Sequence, residues 1–290
     1  MWRLIVVVAL AGCGVAPVKS SDCAGCHVEV AQRFEGSRHA TASQGPVFLA
    51  MRARATAQQQ TFCDGCHTPG HGVTCLDCHG AVGNESTMNG LLRRGEVVGA
   101  TTVSSRAPHQ VEARPFLASS QLCGTCHEVH GPGAFQETPL TEWSDAGAVK
   151  TCAECHLGQH RFEVVLAGAV ELSVRRIDAQ HVEVSACSLV QGHAFPSGAR
   201  FAHEAWVEIA ADGVTQRFDL SDELDAVNPL EVKQVTVRAL QPGELRRWLV
   251  PATGSVEAHA RYRRYRPELL ASLGLSEVDS PVIEVAQVRE

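Results

Sequence analysis

Five times this chain spaces two cysteines by two residues and follows the second with histidine: Cys23, Cys26 and His27; Cys63, Cys66 and His67; Cys75, Cys78 and His79; Cys123, Cys126 and His127; Cys152, Cys155 and His156. Two thiols at that spacing can each bond one vinyl group of a single porphyrin while the adjoining imidazole is carried beneath the iron. The pattern is a c-type haem attachment site, and it uses ten of the twelve cysteines in pairs. Zinc sites and redox disulfides also employ paired cysteines. A zinc site has no need of histidine after every second cysteine, and a thioredoxin-like site is expected once, in a βαβ setting. The expected cofactors are therefore five covalently attached c-type haems, with His27, His67, His79, His127 and His156 as proximal iron ligands.

The sixth position of each iron decides the chemistry, because a second protein ligand favours electron transfer and an open position permits catalysis. Nine further histidines are available: His39, His71, His109, His130, His160, His181, His193, His203 and His259. On a helix running from His27, His39 would lie roughly 18 Å along the axis, out of reach of the same iron. His160 and His130 follow His156 and His127 by four and three residues, and on a helix each would project on the same side of the porphyrin as its neighbour. All three must then serve a different haem. His67 and Cys75 are separated by seven residues, which span at most roughly 25 Å, so haems two and three are expected to be neighbours. His181, His203 and His259 fall in strand-like sequence and read as structural.

These sites need a scaffold, and the chain of 290 residues supplies two textures. Residues 23–163 hold all five motifs and should form short helices and loops around the porphyrins, which must provide much of the apolar core. Residues 164–290 alternate and are valine-rich, the pattern of an antiparallel β-sandwich. Strands are expected at Val164–Arg175, His181–Leu189, Glu204–Ala210, Thr215–Leu220, Val232–Leu240, Leu245–Val250, Val256–Tyr265 and Val282–Val288, with a helix over Pro267–Gly274. The fold class is α+β. Cys187 is left over and reads as a buried strand residue. The run from Arg261 to Arg266 reads as a solvated, partly salt-bridged strand.

Met1, Trp2 and Arg3 precede a short apolar run, Leu4 to Leu10, which is an export-signal layout too short to span a bilayer. The run ends in Leu10, Ala11, Gly12 and Cys13, which resembles the lipobox of bacterial lipoproteins. Residues 1–12 would be the leader, Cys13 the lipid-bearing N-terminus and residues 13–22 an anchor and linker; ordinary cleavage that discards Cys13 is the alternative. Gly14 after the cysteine favours the outer membrane, and in either case the folded chain lies outside the cytoplasm. The net charge of −7 gives no basic face for a nucleic acid; it permits basic redox partners.

The chain resembles the multihaem cytochromes c related to the tetrahaem electron acceptor of bacterial hydroxylamine oxidation, including versions with a C-terminal β-domain. The resemblance rests on Phe34 to Ala40 after the first motif, on Gly72 to Gly80, on His160, Arg161 and Phe162 after the fifth motif, and on Gly192 to Gly198, and it covers nearly the whole mature chain. It implies that His39, His160 and His193 are distal iron ligands, and His109 another. His71 and His130 compete for the fifth position, and an open site is the remaining choice. The sequence departs from the tetrahaem prototype by an extra motif and the β-domain. His193 precedes Phe195, Pro196, Ser197 and Gly198, a turn sequence, so the β-domain is expected to insert a ligand into the haem domain and staple the two together.

The expected function is a membrane-anchored electron carrier passing single electrons among redox proteins of a respiratory chain. The alternatives are an oxidoreductase acting on a small nitrogen or sulfur compound at one five-coordinate haem, and an adaptor subunit of a larger respiratory complex. The lysine-for-histidine motif of the nitrite-reducing relatives is absent. The only tyrosines, Tyr262 and Tyr265, lie in the β-domain, which disfavours a tyrosine-crosslinked haem.

Overall fold

The computed structural model describes residues 19–86, 90–104, 106–130, 136–156 and 158–290. Cys13 and the expected leader lie outside them. Among the described residues no helix is long and apolar enough to cross a membrane.

The cysteine-rich part carries α1 (Ser20–Cys23), α2 (Val28–Glu35), α3 (Pro46–Arg54), α4 (Ala57–His67), α5 (Cys75–His79), α6 (Ser120–His127), α7 (Pro139–Asp145) and α8 (Cys152–His156). Four of these end on the histidine of a motif, so the helix terminus is what presents each imidazole. Their starts are encoded locally. Thr56 and Gln59 cap α4 reciprocally, with Thr56 N–H donating to Gln59 Oε1 at 2.8 Å, and Thr74 and Asp77 do the same for α5 at 2.6 Å. Short strands tie the loops together: β1 (Ala81–Asn84) pairs with β2 (Leu92–Arg94), β3 (Val98–Ala100) runs parallel to β4 (Val111–Ala113), and β5 (Val129–His130) pairs with β6 (Gln136–Glu137). Helices and loops alone were expected there. Segments this short carry no periodicity that a sequence reading can detect.

The second part is two antiparallel sheets sharing one core. One sheet has the order β10 (Val214–Asp219), β9 (Glu204–Ala211), β14 (Val256–Arg263), β15 (Ile283–Arg289); the other has β13 (Leu245–Pro251), β8 (His181–Ser188), β7 (Val170–Arg176). Alternation does the sorting: Val182, Val184 and Ala186 of β8 face Val207, Ile209, Ala258 and Ala260 of the opposite sheet across the interior. Asp212 and Gly213, at φ of 49° and 79°, make the tight β9–β10 turn. The helix α9 (Pro267–Leu273) starts on proline and stops at Gly274, whose φ is 73°. The α+β class and the antiparallel C-terminal sheets are as expected.

Several details differ. The first long strand begins at Val170, not Val164, because the chain turns at Leu166–Ala169 through Gly168 at φ 73°. Val232–Leu240 is not one strand: β12 (Val235–Thr236) pairs with β11 (Glu223–Leu224), Leu240 bridges separately to Phe195, and between them the buried Asp222 takes the Arg238 and Ala239 amides at 2.9 and 3.2 Å. Cys187 is half-buried on the outer face of β8, since Val182, Val184 and Ala186 take the inward register. In β14 Tyr262 points inward, and Arg261 and Arg263 pair outside with Glu208 and Glu204 at 3.3 and 3.5 Å.

Candidate haem centre

Four of the five motifs are built into their surroundings through the residues between their cysteines. Asp64 holds Arg52 in a two-pronged pair at 2.6 Å, which fastens α4 to α3. Asp77 meets Arg94 at 2.5 Å. Thr125 accepts from Asn84 Nδ2 at 3.1 Å, and Glu154 accepts from Thr151 N–H at 2.7 Å. The motifs also meet one another. Cys66 lies beside Cys126, Cys123 beside Cys152 and Cys23 beside Cys75. Burial, then the neighbouring Cys126, pushes the Cys78 thiol up to about 12. Motif four therefore adjoins motifs two, three and five.

Three of the five motif histidines are oriented by backbone carbonyls. Nδ1–H of His67 donates to Ala42 O at 2.8 Å, that of His79 to Gly99 O at 2.8 Å and that of His156 to Glu163 O at 3.1 Å. A bond of this kind fixes the ring and leaves Nε2 basic and free for a metal. Burial lowers the pKa of His39 to about 4 and also lowers those of His67, His127 and His160. All four are thereby kept in the neutral form that ligates.

Three motif histidines face a second histidine. Ring centroids are 5.9 Å apart for His39 and His127, 6.1 Å for His79 and His160, and 6.0 Å for His156 and His193. With metal–nitrogen bonds of about 2 Å on each side, two imidazoles sharing one metal have centroids about 6 Å apart. Nδ1 of His39 is buried with no hydrogen-bond partner, the condition of an atom awaiting one. No three histidine, cysteine or acidic side chains converge among the described residues as they would around a zinc ion. The donor set thus fits haem iron sandwiched between imidazoles.

A solved protein shares this fold. The crystal structure of a penta-heme cytochrome c552 from Thermochromatium tepidum superposes with a TM-score of 0.79, covering 94% of this chain and 98% of that one at 16% identity. No family model matches the chain, and no curated protein is similar to it. The likeness, at that identity, is one of fold: the motif-bearing part and the paired sheets occur together in both.

His160 reaches His79 because α8 stops at His156 and the chain turns left-handed, with φ of 56° at Gln159, 74° at His160 and 54° at Phe162. The helical continuation considered from sequence does not form. Nor does one form after His127, where β5 follows, and His130 turns Nε2 onto Glu128 Oε1 at 2.9 Å. His39 lies beyond the end of α2 at Glu35. His71 and His109 face no motif histidine at such a distance among the described residues; each donates Nδ1–H to the following carbonyl at 3.1 Å, as His193 does at 2.9 Å. His181 pairs with Asp178 and His259 with Glu284, at 2.9 and 2.7 Å. His203 is held by Arg264 O at 2.8 Å.

Sequence reading missed the residues that support these rings. Phe162 packs 4.4 Å from His39 and 6.1 Å from His160, wedging both. Phe48 stacks on His67 at 4.0 Å. Arg114, 6% exposed, donates to His79 O at 3.0 Å and to Ala81 O at 3.1 Å, and also to Val97 O. Glu128, 3% exposed, directly follows His127 and receives the Leu140 and Thr141 amides at 3.1 Å each. Only the acids inside the motifs could have been picked out in advance, as caps beside Thr74 and Thr151.

Proposed function

We propose that this chain is a pentahaem c-type cytochrome that carries single electrons between other redox proteins outside the cytoplasm. The observation that carries the reading is the set of three imidazole pairs at the spacing of a shared iron. In this reading the ten motif cysteines hold the haems, and His27, His67, His79, His127 and His156 are proximal. His39 is distal to the haem on Cys123 and Cys126, His160 to that on Cys75 and Cys78, and His193 to that on Cys152 and Cys155. Bound haem supplies a one-electron iron couple. The protein's part is to fix His67, His79, His156 and His193 through their Nδ1 bonds, to keep water from the buried rings and to hold neighbouring motifs in contact.

His71 and His109 fill the two remaining sixth positions, supported by the Nδ1 tether they share with His193. His130, whose Nε2 is committed to Glu128, does not. Substitution tests this. His71→Ala and His109→Ala should each introduce a high-spin ferric signal of about one haem, while His130→Ala leaves the low-temperature paramagnetic resonance spectrum unchanged. The parent holoprotein should show low-spin signals alone, unaltered by nitrite, hydroxylamine or cyanide. A parent high-spin signal that those ligands abolish would sink the carrier reading and favour an oxidoreductase with an open iron.

The leader-like run before Cys13 supports attachment to the outer membrane through a lipid on that residue. Cys13→Ser should shift the holoprotein from the membrane fraction to the soluble periplasmic fraction without changing its haem spectrum.

A further inference from the structure

The loop from Gly192 to Gly198 is anchored on its β side by Phe195, which is buried in the sandwich core and exchanges backbone hydrogen bonds with Leu240 at 2.8 and 2.9 Å. Its other side meets a single acid from the motif-bearing part. Glu142 of α7 accepts Ala194 N–H and the Ser197 hydroxyl on Oε2, both at 2.8 Å, and the Thr138 hydroxyl on Oε1 at 3.2 Å. The Arg200 guanidinium lies 3.9 Å from Glu142 and 3.4 Å from the buried Asp222, spanning the two halves of the molecule. The helix bearing Glu142 is itself fixed, because its first amides are received by Glu128, the residue after His127. Trp143 packs against Gly192, where a Cβ would come within 3.2 Å of its ring, and its indole N–H donates to Lys150 O at 2.7 Å, close to Cys152.

Ala194 is consequently gripped at both ends of its backbone. Its N–H is held by Glu142, and its carbonyl accepts Nδ1–H from His193. Hydrogen bonds to an ionised carboxylate are the strong kind and are directional.

We propose that Glu142 is the positioning residue that keeps His193 on the sixth position of the haem borne by Cys152 and Cys155, so that the docking of the β-domain and the closure of that iron are one event. The proposal rests on the reading of His193 as a ligand. Glu142 makes no contact with the iron site; it acts through Ala194 and Ser197.

The test uses the full holoprotein, with haem content checked by the pyridine haemochrome. Glu142→Ala should develop a cyanide-sensitive high-spin ferric signal amounting to about one haem in five, matching that of His193→Ala. Glu142→Gln should stay low-spin, because its amide oxygen can replace Oε2 toward Ala194 and Ser197. Should Glu142→Ala fail to accumulate, Ser197→Ala removes one of the two bonds and leaves the charge in place; it should bind cyanide where the parent does not. A wholly low-spin, cyanide-inert Glu142→Ala, or Ser197→Ala in its stead, beside a high-spin His193→Ala would overturn the role of Glu142 and leave His193 as ligand. An unchanged His193→Ala would instead remove the ligand reading, and this proposal with it.

Discussion

Replacing Cys123 and Cys126 by serine should remove more than one haem. The fourth motif is the junction of the others: its thiols lie against Cys66 and Cys152, its histidine faces His39, and Glu128 beside it starts α7. On the proposed ligation, loss of that porphyrin takes away the group between the rings of His39 and His127, and burial holds His39 neutral with an unpartnered nitrogen. An unsatisfied buried polar atom costs about 1–3 kcal/mol, on top of the cavity left by the missing cofactor. The mass of the purified variant should therefore show fewer than four haems, with little of it stable. The matching change at Cys23 and Cys26, in the motif adjoining only Cys75 among these contacts, should leave a folded protein with four. Equal haem losses in the two variants would contradict the central role of motif four.

Arg114→Met should be the most destabilising single substitution in the motif-bearing part. The side chain is 6% exposed and serves three carbonyls, those of His79, Ala81 and Val97, besides Glu112 Oε1 at 2.6 Å. Methionine fills similar volume but leaves all three acceptors without a donor, at about 1–3 kcal/mol each, so a loss of about 3 kcal/mol or more is expected. The strap that carries His79 should loosen with it. A guanidinium titration followed at the Soret band measures the loss. Arg33→Met, which removes a half-exposed pair with Glu29 at 3.3 Å, should shift stability by no more than about 0.5 kcal/mol. Lysine at 114 should rescue only in part, because a single ammonium cannot reproduce the fork of a guanidinium.

The attachment chemistry was legible because it is local: a thiol pair and an imidazole within five consecutive residues need no tertiary information. The long strands were legible for the same reason, since alternation at Val182, Val184 and Ala186 or at Val256, Ala258 and Ala260 is written residue by residue. The supporting shell was not. Arg114, Glu128 and Glu142 look like ordinary surface charges until the chain brings carbonyls and amides to them from elsewhere. The left-handed backbone that Gly158 opens continues through Gln159 and His160, residue types that do not announce it. His71 and His130 could not be ranked until the structure showed which ring nitrogen each has already committed.

Each facing pair joins histidines that lie far apart in the sequence, and this gives the fold an order in time. A chain synthesised from its N-terminus offers His79 long before His160 has emerged, and His156 before His193. Long-range closures of this kind are slow, since the loop between the partners must be ordered before the contact repays it. Through most of its maturation the nascent protein would thus present imidazoles with one side bare, and would complete itself only as the sheets close behind Gly192 to Gly198. The β-part is then less an appendage than the last step of assembly: a chain truncated before it would carry every attachment motif and still be unfinished.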